Sequence, residues 1–126
     1  MGETRKRILL VEDDRFLRRA CAGGLRQRGF TVLTAVDGEE GLRLARTELP
    51  DLILLDMLMP KLSGLEVLRA LRAEEATRDI LVLILSNSSR ERDIEDVTRL
   101  GVVGYQVKAN LSLQELGDRV TQLLEG

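Results

Sequence analysis

Five short, almost uninterrupted aliphatic runs recur along this chain: RILLV (7–11), FTVLTA (30–35), DLILL (51–55), ILVLIL (80–85) and VVGYQV (102–107). Each is too short for a helix and too continuously apolar for a sheet with one wet face, which predicts parallel strands covered on both sides. Between the runs the apolar period becomes helical. Phe16, Leu17, Ala20, Cys21, Gly24 and Leu25 form one such series, and Leu113, Leu116, Val120, Leu123 and Leu124 another, each expected to face the core. Parallel strands need crossovers, so the order βαβαβαβαβα predicts an α/β fold: one open, doubly wound parallel sheet with helices on both faces.

Helix starts carry their own signals. SGLE from Ser63, SSRE from Ser88 and SLQE from Ser112 place Glu three residues after Ser, and DGEE from Asp37 does the same after Asp. Each is a candidate capping box, in which two backbone N–H groups are satisfied reciprocally.

The length of 126 residues suits a single domain, taken as 1–126, able to bury a core of its own. Net charge is −2 with 32% charged residues, a balance that points to neither nucleic acid nor membrane. Arg18, Arg19, Arg26 and Arg28 cluster early, but no aromatic residues interleave with them, and the expected reading is a solvated helix face. With one cysteine, Cys21, and no histidine, the chain cannot build an internal disulfide, a Cys/His zinc site or a Ser-His-Asp triad. Cys21 is expected to be small core filler. No signal-peptide pattern or membrane-length apolar stretch is present, and a cytoplasmic location is expected.

In open parallel sheets ligands gather outside the carboxyl ends of the strands. There this sequence places Glu12, Asp13 and Asp14 after the first run, Asp56 after the third, Ser86 and Asn87 after the fourth, and Lys108 after the fifth. Taken singly, Asp13 or Asp14 could be a helix N-cap and the others loop or strand-end polar groups. Together, crowded carboxylates are tolerable when a divalent cation joins them. Oxygen ligands suit Mg²⁺, which keeps several waters. A phosphoryl group on Asp56 would add an oxygen ligand, with Ser86 and Lys108 placed for its other oxygens, and phosphoryl transfer asks mainly for such positioning and charge neutralisation.

These motifs, ILLVEDD, DLILLDMLMPKLSG, Ser86 after LVLIL, and GYQVK, resemble the receiver domain of a two-component response regulator, of the chemotaxis-regulator-like kind, over essentially the whole chain. The resemblance implies a flavodoxin-like (βα)5 fold with strand order 2-1-3-4-5. It implies that Asp56 accepts a phosphoryl group from a histidine kinase or phosphotransfer protein, and that Asp13, Asp56 and the backbone carbonyl of Met57 ligate Mg²⁺ while Glu12 holds a metal water. It implies that Ser86 moves onto the phosphoryl oxygens, that Tyr105 turns inward behind it, and that Lys108 pairs with the acyl phosphate. The implied protein is a regulator rather than an enzyme. Its downstream target or self-association would use the fourth helix, fifth strand and fifth helix, with no direct nucleic-acid or membrane contact.

The sequence departs from the family pattern at two places. Ala109 stands where Pro usually follows the lysine through a cis bond, and a cis bond to a non-proline residue costs about 2.5–4 kcal/mol, so a differently shaped trans loop is expected. Asn87 replaces a small residue at the pocket entrance. Leu58 and Ser88, two residues after the acceptor and the hydroxyl, offer little to orient an attacking water, which predicts slow self-dephosphorylation. Two other readings are weighed. A silent receiver-like interaction module is disfavoured by the complete set of site residues. A haloacid-dehalogenase-type phosphatase would want a second Asp where Leu58 stands. The chain ends just past its last helix, the expected appearance of a stand-alone regulator or of a domain cut from a longer protein.

Overall fold

The computed structural model describes residues 5–87 and 91–125, and of residues 91–93 and 110 the backbone only. Five parallel strands, β1 (Arg7–Val11), β2 (Thr31–Ala35), β3 (Leu52–Asp56), β4 (Leu81–Ser86) and β5 (Gly104–Val107), pair in the order β2-β1-β3-β4-β5. They alternate with α1 (Arg15–Gln27), α2 (Gly38–Glu48), α3 (Gly64–Ala73), α4 (Glu91–Arg99) and α5 (Leu113–Glu125). This is the flavodoxin-like arrangement expected from the sequence.

Strand alternation divides the aliphatic runs between two cores. Leu9, Val11, Ile53, Leu55, Val82 and Ile84 pack with Leu42, Ala45, Val67, Leu68, Leu71 and Val97 of α2, α3 and α4. Ile8, Leu10, Leu52, Leu54, Leu83 and Leu85 pack with Cys21, Ala22, Leu25, Leu116 and Val120 of α1 and α5. Burial on both faces is complete from Ile8 to Val11 in β1 and throughout β3, whereas the edge strands β2 and β5 are partly exposed.

The helical series needs two corrections. In α1 the buried line is Cys21, Ala22 and Leu25, while Ala20 is exposed and Phe16 stands 89% exposed. At 3.6 residues per turn Phe16 falls nearly opposite the centre of that line. In α5 Leu116 and Val120 are buried and Leu123 and Leu124 pack against them, but Leu113 is 48% exposed.

Ser63 forms the full reciprocal box with Glu66. Ser112 does so with Glu115, at 3.2 and 3.0 Å. Asp37 caps the Glu40 N–H at 2.8 Å, but the returning Glu40 carboxylate accepts from Val36 N–H instead, one residue upstream of the expected donor. The Ser88 box lies outside the described residues. No cis peptide bond occurs among the described residues, so Lys108–Ala109 is trans, and Lys108–Asn110 forms a single 3₁₀ turn.

Candidate functional site

The alternation that sorts the cores also sorts the polar residues at the carboxyl ends. Asp56 continues the series Leu52, Leu54 and Glu12 the series Ile8, Leu10, so both carboxylates fall on the α1/α5 side. Lys108 follows β5 on the parity of Gly104, whose missing Cβ would meet Leu83 and Arg119 on that same side. Ser86 continues Val82 and Ile84 toward the other face, where Tyr105 is half-buried against the α2/α3/α4 core. Tyr105 pairs with Ile84, and Ser86 with Val107.

The first group meets. Lys108 Nζ lies 2.6 Å from Glu12 Oε1 and 3.1 Å from Asp56 Oδ2. Glu12 and Asp56 are 1% and 5% exposed, while Asp13 is exposed. One oxygen from each of Glu12, Asp13 and Asp56 comes within 4.8 Å of the others. Together with Lys108 they line a cleft of about 480 Å³ whose other walls include Leu17, Leu58, Asn87 and Ala109. Ser86 is fully buried beneath this edge.

Two buried carboxylates sharing one ammonium are electrostatically underpaid. Burial, and then Glu12, push the Asp56 carboxyl up to about 6, against the opposing pull of Lys108 and of the Leu58 N–H, which donates to Asp56 Oδ1 at 3.3 Å. Burial works against the charge of Lys108, but Glu12 and Asp56 together outweigh it and raise its pKa. Cys21, behind the cluster, is pushed up to about 11 by burial and then by Glu12, consistent with inert core filler.

These residues fit a hard divalent cation. Glu12 Oε1 is buried with the Lys108 ammonium 2.6 Å away as its ion-pair partner and no other hydrogen-bond donor among the described residues, so acceptor capacity remains inside the cluster. The Met57 carbonyl already accepts the Gly64 N–H at 2.9 Å, which leaves its second lone pair.

Asp14 caps α1, accepting the Leu17 N–H at 2.9 Å, as its position at a helix start suggests. Two glycines allow close approach around the segment after Asp56, Gly64 of the DLILLDMLMPKLSG motif and Gly38, to which sequence reasoning gave no packing role. A Cβ on Gly64 would lie 2.3 Å from Asp56 O, and one on Gly38 would lie 2.1 Å from Leu62 O. The available signal was a glycine directly after each helix cap. The arginines expected on a solvated face are largely so, Arg19, Arg26 and Arg28 being exposed and Arg18 half-buried, but three of them also bind groups of the chain. Arg18 Nη1 donates to Glu12 O and Asp13 O at 3.0 and 3.3 Å, Arg26 donates to Val32 O at 2.9 Å, and Arg28 pairs with Asp118 at 2.9 Å.

Residues 8–121 match the family model described as response regulator receiver domain. The transcriptional regulatory protein PrrA of Mycobacterium tuberculosis is 43% identical over 123 residues, covering 98% of this chain and 52% of PrrA, so the chain spans about half the length of the curated relatives it matches. The chemotaxis protein CheY4 of Vibrio cholerae superposes with a TM-score of 0.88 at 26% identity, covering 96% of this chain and 100% of that one. The Mn(2+)-bound form of response regulator Rcp1 superposes at 0.85 with 27% identity, covering 95% of each. Strand order, the carboxylate cluster at the carboxyl edge and a match over nearly the whole chain converge on one conclusion: the protein belongs to the response regulator receiver domain family.

Proposed function

We propose that this chain is a phosphorylation-activated switch in which Asp56 accepts a phosphoryl group from a phosphohistidine. Receiver domains of response regulators serve two-component systems, take histidine kinases or phosphotransfer proteins as partners, bind Mg²⁺ at an acidic pocket, and are not generally classical enzymes. The observation that carries the proposal is the contact of Lys108 Nζ with Glu12 and Asp56 at 2.6 and 3.1 Å, beside the Asp13 carboxylate in an open cleft.

In the transfer the donor N–P bond breaks as a bond forms from an Asp56 carboxylate oxygen to phosphorus, and the donor imidazole leaves. Asp56 attacks as the carboxylate; burial and Glu12 push its carboxyl up to about 6, so the ionised form gains as pH rises. Lys108 is already within reach of the position where phosphoryl oxygens would sit. Glu12, Asp13, Asp56 and the Met57 carbonyl would hold Mg²⁺, and the Mn(2+)-bound form of Rcp1, a similar fold, supports that reading. A bound Mg²⁺ supplies positive charge that screens the carboxylates and draws the phosphoryl oxygens. The leaving and attacking groups are then aligned rather than chemically altered, which is most of what this reaction requires.

Output follows from the second group of residues. Ser86 and Tyr105 lie on or beside β4 and β5, and a move of either toward the phosphoryl group would reshape the face of α4, β5 and α5, the proposed surface for a downstream protein or a second copy. Among the described residues no helix is long and apolar enough to cross a membrane. The role named for PrrA belongs to a protein of which this chain matches about half.

The test is intact mass after incubation with a small phosphodonor and Mg²⁺. The parent should gain one phosphoryl group and Asp56→Asn none, and Asp13→Ala should abolish the upward shift of thermal unfolding with millimolar Mg²⁺. An increment retained in Asp56→Asn would place the acceptor elsewhere.

A further inference from the structure

The Asp13 carboxylate has no hydrogen-bond or ion-pair partner among the described residues, yet it stands with Glu12 and Asp56 in the cluster. Its position is therefore set by its backbone. The β1 ladder extends only to Glu12 N–H, which donates to Ala35 O at 3.0 Å, and Asp14 N–H is taken by Glu12 Oε2 at 3.0 Å. The two carbonyls on either side of the Asp13 Cα, those of Glu12 and Asp13, both receive Arg18 Nη1, at 3.0 and 3.3 Å. Arg18 is half-buried, one turn into α1, where its own N–H is bound to Asp14 O at 2.9 Å.

We propose that Arg18 is a positioning residue of the acidic cluster: by clamping the carbonyls of Glu12 and Asp13 it holds the unanchored Asp13 carboxylate in place to bind a divalent cation. The inference rests on the metal reading above and adds the group that makes the site rigid. Two physical effects of Arg18 oppose each other, which makes the inference decidable. Its positive charge repels a cation, so removing charge alone would tighten binding. Its hydrogen bonds fix the ligand, so removing them loosens binding, and loss of groups that orient metal ligands commonly weakens affinity about 10- to 100-fold. The guanidinium is directed at two carbonyl oxygens, and we expect orientation to win.

The experiment measures Mg²⁺ affinity by calorimetric titration of the full chain and amide exchange of residues 13–16 without metal. Arg18→Met should weaken Mg²⁺ binding about tenfold and speed exchange at those amides, with Arg18→Lys intermediate. Arg15→Met removes the same charge from an exposed position on the same helix, and should leave affinity unchanged or slightly tighter. Binding by Arg18→Met that equals or exceeds the parent's would overturn the positioning role, as would parallel weakening in Arg15→Met. A parent that takes up no Mg²⁺ would instead overturn the metal reading itself, while faster exchange in metal-free Arg18→Met would still report the clamp.

Discussion

The two edges of this sheet are built on opposite electrostatic terms. At the amino edge, arginines reach backbone carbonyls that the strands leave open. Arg72 spans the starts of β4 and β5, donating to Leu100 O at 2.7 Å, Gly101 O at 2.8 Å, and Arg78 O and Ile80 O at 3.0 Å each. Arg7 binds Glu48 through its carbonyl and its carboxylate, both at 2.6 Å, while its N–H donates to Asp51 at 2.8 Å. At the carboxyl edge the balance is reversed, with Glu12, Asp13 and Asp56 converging where Lys108 is the ammonium within reach. The difference teaches where stability was given up. One edge ties most of its open carbonyls to arginines of the chain, and the other keeps more carboxylate than ammonium, an excess of negative charge suited to a cation.

The largest expected effect tests the closed edge. Arg72→Ala strands four carbonyls and should destabilise the fold by about 3 kcal/mol, since hydrogen bonds from charged groups contribute roughly 1.5–3 kcal/mol each and do not add fully. Urea denaturation measures it, and a loss below about 1 kcal/mol would mean that water replaces the clamp.

The open edge should respond with the opposite sign. A carboxyl raised to about 6 in the folded chain, against about 3.9 unfolded, carries no penalty below pH 4 and the full penalty above pH 6, so its contribution to stability falls as pH rises between them. Asp56→Asn removes that penalty. In the absence of metal it should gain on the order of 2 kcal/mol over the parent at pH 8 relative to their difference at pH 4.5. Denaturation at the two pH values checks this, and a gain independent of pH would deny the electrostatic cause.

A smaller effect concerns the mouth of the open edge. Leu58 is 69% exposed on the cleft wall and cannot orient a water, and Ser88, its expected companion, lies outside the described residues. Leu58→Asn should shorten the phosphoryl lifetime about tenfold, from the positioning of a nucleophile. Time-resolved loss of the phosphoryl group measures it. Equal decay in parent and variant would make Asn87, on the same wall, the residue to replace next.

The smallest effect compares one strained residue at each edge. Leu49, at the amino edge, and Lys61, at the carboxyl edge, both have left-handed backbone, φ 44 and 71. Relief of that conformation is worth roughly 1 kcal/mol before the entropy cost of glycine. Leu49→Gly should therefore gain about 0.5 kcal/mol, whereas Lys61→Gly should gain less, because Lys61 also pairs with Asp37 at 3.6 Å. Thermal melts of the two variants give the comparison, and a larger gain at Lys61 would show its ion pair to be inert.

The strands and the cluster of Glu12, Asp56 and Lys108 were legible because they rest on local periods and on the rule that ligands collect at carboxyl ends, whereas the strand order came only from the resemblance to receiver domains. The inward face of α1 was less so. Phe16 and Ala20 keep helical spacing with the core, but which side of an apolar stripe turns inward depends on the sheet beneath it. The reciprocal box at Asp37 failed in one arm for a similar reason, the Glu40 carboxylate reaching Val36 N–H at 2.9 Å where β2 ends.

By itself the sequence determined the alternation of strand and helix, the division of each strand between two cores, and the charges that meet at one edge, because period and chain order carry that information. Tertiary structure alone decided what the long cations do. Arg18, Arg26, Arg28 and Arg72 each bind groups that they reach only after the chain has folded, at sequence separations from 5 to 93 residues. A guanidinium on a flexible stem has no preferred partner in its own neighbourhood. Its role is set by whichever carbonyls the fold leaves without a donor.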